Sequence, residues 1–153
     1  MATTKAGSDT VLVLSRTFTA PREKVFRAWT DPEVLKQWWA AGPGFTPTIA
    51  EVDLRVGGRY RLGMRAPEGD VDHVVVGTYR EVQQPARLVY TWAWEGSGAP
   101  ETVVTVEFHD RGTQTEVVLT HEQFAGAADR DQHAGGWGGC LDSLGRVLVG
   151  SVV

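Results

Sequence analysis

The 153-residue chain is long enough for one domain with a buried core, and its 42% hydrophobic and 22% charged residues are those of an ordinary globular protein. A formal net charge of −4 and a pI near 5.5 argue against a nucleic-acid binder, which would carry a basic stripe. A single cysteine, Cys140, excludes an intrachain disulfide, and neither an apolar leader nor a run near the ~20 residues of a membrane span is present, so the expectation is a reduced, cytoplasmic, soluble protein.

Residues 1–10 are small and polar and read as a flexible tail; residues 11–150 read as a single domain. Residues 11–19 are apolar-rich and mildly alternating, which predicts a strand. Pro21 falls where a helix begins, and Val25, Phe26 and Trp29 follow at helical spacing. Thr30 and Glu33 fit a capping box around Pro32. They open a second short helix that carries Val34, Leu35, Trp38 and Trp39 and stops before Gly42-Pro43-Gly44. The apolar period then changes to that of strands, over residues 45–54, 58–64, 73–82, 88–94, 102–109 and 113–121. Hairpin-length turns such as Gly57-Gly58 and Asp110-Arg111-Gly112 separate them, which predicts an antiparallel meander.

The chain ends on a helix of ~20 residues in which Trp137, Cys140, Leu141, Leu144 and Leu148 form one apolar stripe and Asp129 is placed to cap the start. Gly135, Gly136, Gly138 and Gly139 crowd this stripe, and each costs about 1 kcal/mol against alanine inside a helix. Three readings follow: the helix starts only near Trp137, the glycines admit a close neighbour, or bare backbone leaves room for a ligand. The parts pack most simply as an α+β fold. A curved seven-stranded antiparallel sheet wraps the long C-terminal helix, with two short helices between strands 1 and 2.

A search for chemistry finds no catalytic signature. His121-Glu122 begins like a zinc-protease motif, but residue 125 is alanine. The four histidines share no metal-ligand spacing with Cys140, and Gly96-Ser97-Gly98 is a turn and not a nucleophile elbow. Glu51 and Asp53 share the solvated face of a strand. No catalytic residue, metal or cofactor is therefore expected. His73 is in phase with Val75 and Tyr79, and His121 with Val117 and Leu119, so both are expected to look inward, by default as satisfied core or rim histidines. His109 lies on a polar face, and His133, one turn before Trp137, is expected to pack or cap. Tyr90, Trp92 and Trp94 share a strand face, with Tyr60 and Tyr79 on neighbouring strands; such a stripe is either core or the lining of an apolar pocket.

These residues also carry a resemblance. Segments 15–21 (SRTFTAP), 25–32 (VFRAWTDP), 35–39, 56–61 (VGGRYR), 77–82 (GTYREV), 87–92 (RLVYTW) and 120–122 (THE) match in order, followed by His133, Gly136-Trp137, Leu141, Leu144 and Leu148. Over about residues 11–149 the chain resembles the activator-of-heat-shock-ATPase-like branch of the START/polyketide-cyclase superfamily, whose helix-grip fold is shared with the birch-pollen allergen. The resemblance implies a cavity between the curved sheet and the last helix, and no catalytic residue. It implies no single function either. Members include hydrophobic-ligand binders, aromatase/cyclases, a domain that stimulates a chaperone ATPase, and self-sacrificing resistance proteins that capture enediyne antibiotics.

The favoured expectation is the binding of a small hydrophobic or polyaromatic molecule. Trp39, Tyr60, Met64, Trp92, Trp94, Trp137 and Leu141 would supply apolar and stacking surface, and His73 and His121 polar handles. The alternatives are self-sacrifice toward an enediyne-type antibiotic, a cyclase- or hydrolase-like enzyme working through His73 or His121, and a chaperone ATPase activator. Only about ten residues precede the first strand, where the co-chaperone carries a further domain, which sets the chaperone partner below the rest. An exposed edge strand would permit a homodimer.

Overall fold

The computed structural model describes residues 3–4 and 9–150. A two-residue strand β1 (Thr3–Thr4) and β2 (Val11–Phe18) precede two short helices, α1 (Arg22–Thr30) and α2 (Pro32–Trp38). Strands β3 (Thr46–Val52), β4 (Arg59–Arg65), β5 (Asp72–Gln83), β6 (Arg87–Trp94), β7 (Thr102–Arg111) and β8 (Gln114–Glu122) follow, and α3 (Ala127–Gly150) is the last element among the described residues. All neighbouring strands are antiparallel, in the order β1-β2-β8-β7-β6-β5-β4-β3. The predicted seven-stranded curled sheet, its two short helices and its long C-terminal helix are all present. β1 adds a short rung beside Leu14 and Ser15; residues 1–2 and 5–8 of the expected tail lie outside the described residues.

The helix–helix junction differs from its expected form in an instructive way. Pro32 occupies the first position of α2, so the capping residue is Asp31 and not Thr30. The Asp31 carboxylate accepts from the Glu33 amide at 2.9 Å, while the Thr30 hydroxyl turns back to donate to the Phe26 carbonyl at 3.0 Å. That amide bond, together with the Arg27 side chain, holds the Asp31 carboxyl below its ordinary pKa. Pro21 likewise caps α1 from outside, and Trp39 is the residue that ends α2. Both helices bury one face: Val25, Phe26 and Trp29 from α1, Leu35 and Trp38 from α2.

Alternation places Leu12, Leu14, Tyr60, Leu62, Val75, Leu88, Val104, Val106, Phe108, Val117 and Leu119 among the buried residues of the sheet. Against them α3 buries the predicted stripe of Trp137, Cys140, Leu141, Leu144 and Leu148. Each fully buried leucine or phenylalanine contributes roughly 1.5–3 kcal/mol, and this burial lets a glycine-rich sequence hold a helix. Cross-strand ion pairs such as Arg61–Glu95 and Arg87 with Glu81 and Glu107 are partly or largely exposed, so each adds at most ~1 kcal/mol.

All four clustered glycines lie inside α3, which begins well before Trp137; Asp129 falls in its first turn and not at its cap. Gly139 has the close neighbour: a Cβ there would overlap the Ala41 carbonyl, so the loop after α2 rests directly on the helix backbone. Gly135 and Gly138 face open space, with nothing within 4 Å of a built Cβ. Gly139→Ala is therefore expected to lower stability by ~1–3 kcal/mol, because α3 must retreat from the loop. Gly135→Ala and Gly138→Ala are expected to raise it, each by up to ~1 kcal/mol. Urea midpoints of the three variants check the contrast; equal shifts would mean that Gly139 is not the contact point.

Candidate functional site

Between α3 and the inner face of the sheet lies a cavity of about 490 Å³. Gln132, His133, Gly136, Trp137 and Cys140 line it from α3, a single helix face at a spacing near 3.6. Met64 comes from β4, His73 from β5, and Trp92 and Trp94 from β6. Trp39 at the end of α2, with Ala41 and Phe45 from the loop after it, supplies the remaining wall. Trp94 is 37% exposed and His73 is also exposed, so these two mark a solvent-facing rim. No aspartate, glutamate, lysine or arginine lines the cavity among the described residues.

The walls are held by aromatic packing. Trp92 meets Trp137 at 5.1 Å between ring centroids, Trp39 at 5.9 Å and Trp94 at 5.6 Å, and Trp39 meets Trp137 edge-on at 5.6 Å. Through Trp38 and Trp29 the contacts extend into the core, linking all six tryptophans of the chain. Pairs at these separations and tilts each add about 0.5–1.5 kcal/mol beyond burial.

A hydrogen-bonded chain lies behind this wall. The Trp137 Nε1–H donates to His121 Nδ1 at 3.1 Å. An indole N–H can only donate, so Nδ1 is the acceptor and the neutral ring carries its proton on Nε2. Nε2 lies 2.7 Å from the Thr102 hydroxyl, which in turn donates to the Trp92 carbonyl at 3.2 Å. His121 is fully buried against Phe124, Trp92 and His133. Burial, helped by the neighbouring His133, pushes its pKa down to about 3. His133 is anchored differently: its Nδ1 lies 2.8 Å from the Asp129 carbonyl, which only an N–H can satisfy, so the neutral ring leaves Nε2 as an acceptor. Burial also pushes the Cys140 thiol up to about 12, so it stays protonated.

The buried tryptophans divide sharply in their polar contacts. Trp29 donates to the Tyr90 hydroxyl at 3.3 Å and Trp38 to the Ala28 carbonyl at 2.8 Å, while Trp137 has His121. The indole N–H groups of Trp39 and Trp92 have no partner among the described residues, and both rings line the cavity. Leaving a buried donor unpaired costs about 1–3 kcal/mol.

Of the residues expected to form the site, Trp39, Met64, His73, Trp92, Trp94 and Trp137 meet around the cavity. Tyr60, His121 and Leu141 do not line it. The Tyr60 hydroxyl donates to the Thr91 carbonyl at 2.5 Å inside the sheet, and burial raises its pKa well above the ordinary value. Leu141 is core, and His121 stands one layer behind Trp137. Ala41, Phe45, Gln132, His133 and Cys140 were not among the expected lining residues. The signal for three of them was present: positions 132 and 133 precede Trp137 by about one turn and 140 follows it by three, a face that became readable once α3 is known to start at Ala127. Ala41 and Phe45 sit in a loop, where no periodicity points. No group of three or more metal-ligating side chains converges among the described residues.

A curled antiparallel sheet gripping one long helix over an apolar cavity defines a helix-grip protein of the START/polyketide-cyclase superfamily, a fold that supports ligand binding in general. Residues 19–149 match the family described as Activator of Hsp90 ATPase homolog 1-like protein, and the chain belongs to that family. Its fold is similar to a solved Chromobacterium violaceum protein, CV1439, at 27% identity and TM-score 0.82, covering 91% of this chain and 96% of that one. The AHSA1-like protein from Aeromonas hydrophila is 29% identical with TM-score 0.74, covering 91% and 93%. CalU16 from Micromonospora echinospora shares the fold at 24% identity and TM-score 0.70, covering 97% and 86%. No curated protein matches the sequence. No helix among the described residues is long and apolar enough to cross a membrane.

The low pKa of His121 has a consequence for stability. Unfolded, the ring takes up a proton near its ordinary 6.5; folded, it resists until about 3. Between these values the unfolded chain binds more protons, so stability falls as pH drops, by up to about 1.4 kcal/mol per pH unit from this group. His121→Phe is expected to cost about 1–3 kcal/mol at pH 7, because Trp137 and Thr102 lose their partner. The same variant should show a shallower acid slope. Urea midpoints of both proteins from pH 7 to 3.5 test this, and parallel slopes would assign the acid sensitivity elsewhere.

Proposed function

We propose that this protein binds a small, flat, largely apolar aromatic molecule between its sheet and α3. The carrying observation is the cavity itself: about 490 Å³ walled by four tryptophans, Phe45 and Met64, with no charged side chain among its lining residues. That volume lies within the ~300–1,000 Å³ of small-molecule sites, and such surface favours aromatic rings by burial and edge or face contact. Trp39, Trp92, Trp94 and Trp137 supply the stacking surface, and His73, Gln132 and His133 the polar contacts. His121 acts indirectly, by holding Trp137. Both of its nitrogens are engaged and its imidazolium is disfavoured, which argues against a reading in which it is the acid or base of an enzyme. A single buried thiol is consistent with a reducing compartment such as the cytoplasm.

Gly136 favours a second reading. Its backbone lines the cavity without a side chain, as self-sacrifice toward a reactive antibiotic would need. An activated enediyne that leaves the chain uncleaved at Gly136 would remove that reading and leave binding untouched.

Native mass spectrometry of freshly purified protein, compared with its denatured mass, is expected to show a bound small molecule that is lost on denaturation. Titration of tryptophan fluorescence with a tricyclic hydrocarbon such as fluorene should saturate at one equivalent. Gly136 lines the cavity and a Cβ built there meets nothing within 4 Å, so Gly136→Leu directs its side chain into that space. The variant is expected to bind fluorene at least ~10-fold more weakly, since the displaced ligand loses its buried contact area. Unchanged affinity in the folded variant would place binding elsewhere.

A further inference from the structure

We infer that the tryptophan cluster also conducts single oxidising equivalents. A one-electron oxidant in solution takes an electron from Trp94, the electron deficit passes through Trp92 to Trp137, and Trp137 gives its indole proton to His121. The path needs no ligand in the cavity and stands apart from the binding reading.

The way in is set by exposure. Of the six tryptophans and three tyrosines of the chain, Trp94 is 37% exposed and every other one is at most 5% exposed. Trp94 lies 5.6 Å from Trp92 between ring centroids, and Trp92 lies 5.1 Å from Trp137. Rings at these separations are in contact, so an electron crosses no intervening group.

The end of the path is set by protons. An indole that has lost an electron becomes a far stronger acid, and it is stabilised where its N–H meets a base. Trp92 and Trp39 have no partner for that proton among the described residues, so they can only relay. Trp38 and Tyr60 donate to carbonyls, and Trp29 to a tyrosine hydroxyl, all feeble bases. Trp137 donates to an imidazole nitrogen, His121 Nδ1, at 3.1 Å. The proton crosses that bond, leaving a neutral indolyl radical on Trp137 and an imidazolium with protons on both nitrogens.

Burial keeps His121 neutral in the resting protein, yet it does not oppose this step. The positive charge is already buried on the oxidised indole and only changes rings, so the stronger base, imidazole, receives the proton. One electron has left for the oxidant and no proton has left the protein; one electron from a reductant such as ascorbate reverses both moves. Cys140 also lines the cavity, but burial pushes its pKa up to about 12, and a thiol gives up an electron readily only as the thiolate.

The test uses flash-generated tris(bipyridine)ruthenium(III) as the oxidant, with transient absorption to separate the neutral indolyl radical from its cation. Wild-type protein is expected to form the neutral radical while a pH-indicator dye in solution records no proton released in step with it. Trp94→Phe should lose most of the radical yield, and Trp137→Phe should lose the neutral form. His121→Phe should convert the signal to the radical cation. Should these variants fail to fold, the dye measurement on wild type alone decides. A proton appearing in solution with the radical would place that radical on exposed Trp94 and overturn the inference. So would a neutral radical that survives in folded Trp137→Phe, an undiminished yield in Trp94→Phe, or no radical in wild type.

Discussion

The seat of Trp137 on His121 is the contact on which the rest of the molecule depends. One indole of α3 donates to a neutral imidazole of β8, which is held by a threonine of β7, which is held by the backbone of β6. Three strands and the helix are thereby joined inside an otherwise apolar interior, where a hydrogen bond is strong and an unmade one is expensive. The arrangement works only with the imidazole uncharged, and its burial ensures that state at neutral pH. Trp137 then fixes the positions of Trp29, Trp39 and Trp92, all of which touch it.

Around that seat the glycines of α3 divide the work. At Gly139 the helix backbone receives the loop that follows α2, bringing Ala41 against it. One turn earlier, Gly136 leaves its share of the wall open and the cavity begins. A side chain at the first would drive the elements apart; a side chain at the second would occupy the space they enclose. The helix tolerates both because its apolar stripe from Trp137 to Leu148 is buried, so packing outweighs weak intrinsic propensity. The charged residues are kept to the outside, where cross-strand pairs such as Arg61–Glu95 keep the sheet's far face polar.

Much of this was legible along the chain. The alternation of Val104, Val106 and Phe108, the turns at Gly57 and Gly112, and the prolines at the short helices are local signals, and the strands and helices they imply are present to within a few residues. Pro32 illustrates the limit of such signals: it correctly marked a helix start, but the capping box was read on Thr30, and the position of the proline ring makes Asp31 the cap. The aromatic stripe on β6 was equally undecided between core and pocket. Trp92 and Trp94 proved to face the cavity, whereas Tyr60, opposite Gly77 on the neighbouring strand, is tied to the Thr91 carbonyl within the sheet.

By itself the sequence determined the elements, their antiparallel order and the apolar face of α3, because each depends on residues close together in the chain: turns on two to four, strand and helix faces on a period of two or 3.6. It also determined that the interior would be rich in tryptophan. Only the tertiary structure decided which indoles have partners, which glycine touches a neighbour and which faces empty space. Those outcomes depend on atoms far apart in sequence, such as Ala41 against Gly139 or His121 beneath Trp137, and the distances between them are set by the packing of the whole sheet around the helix.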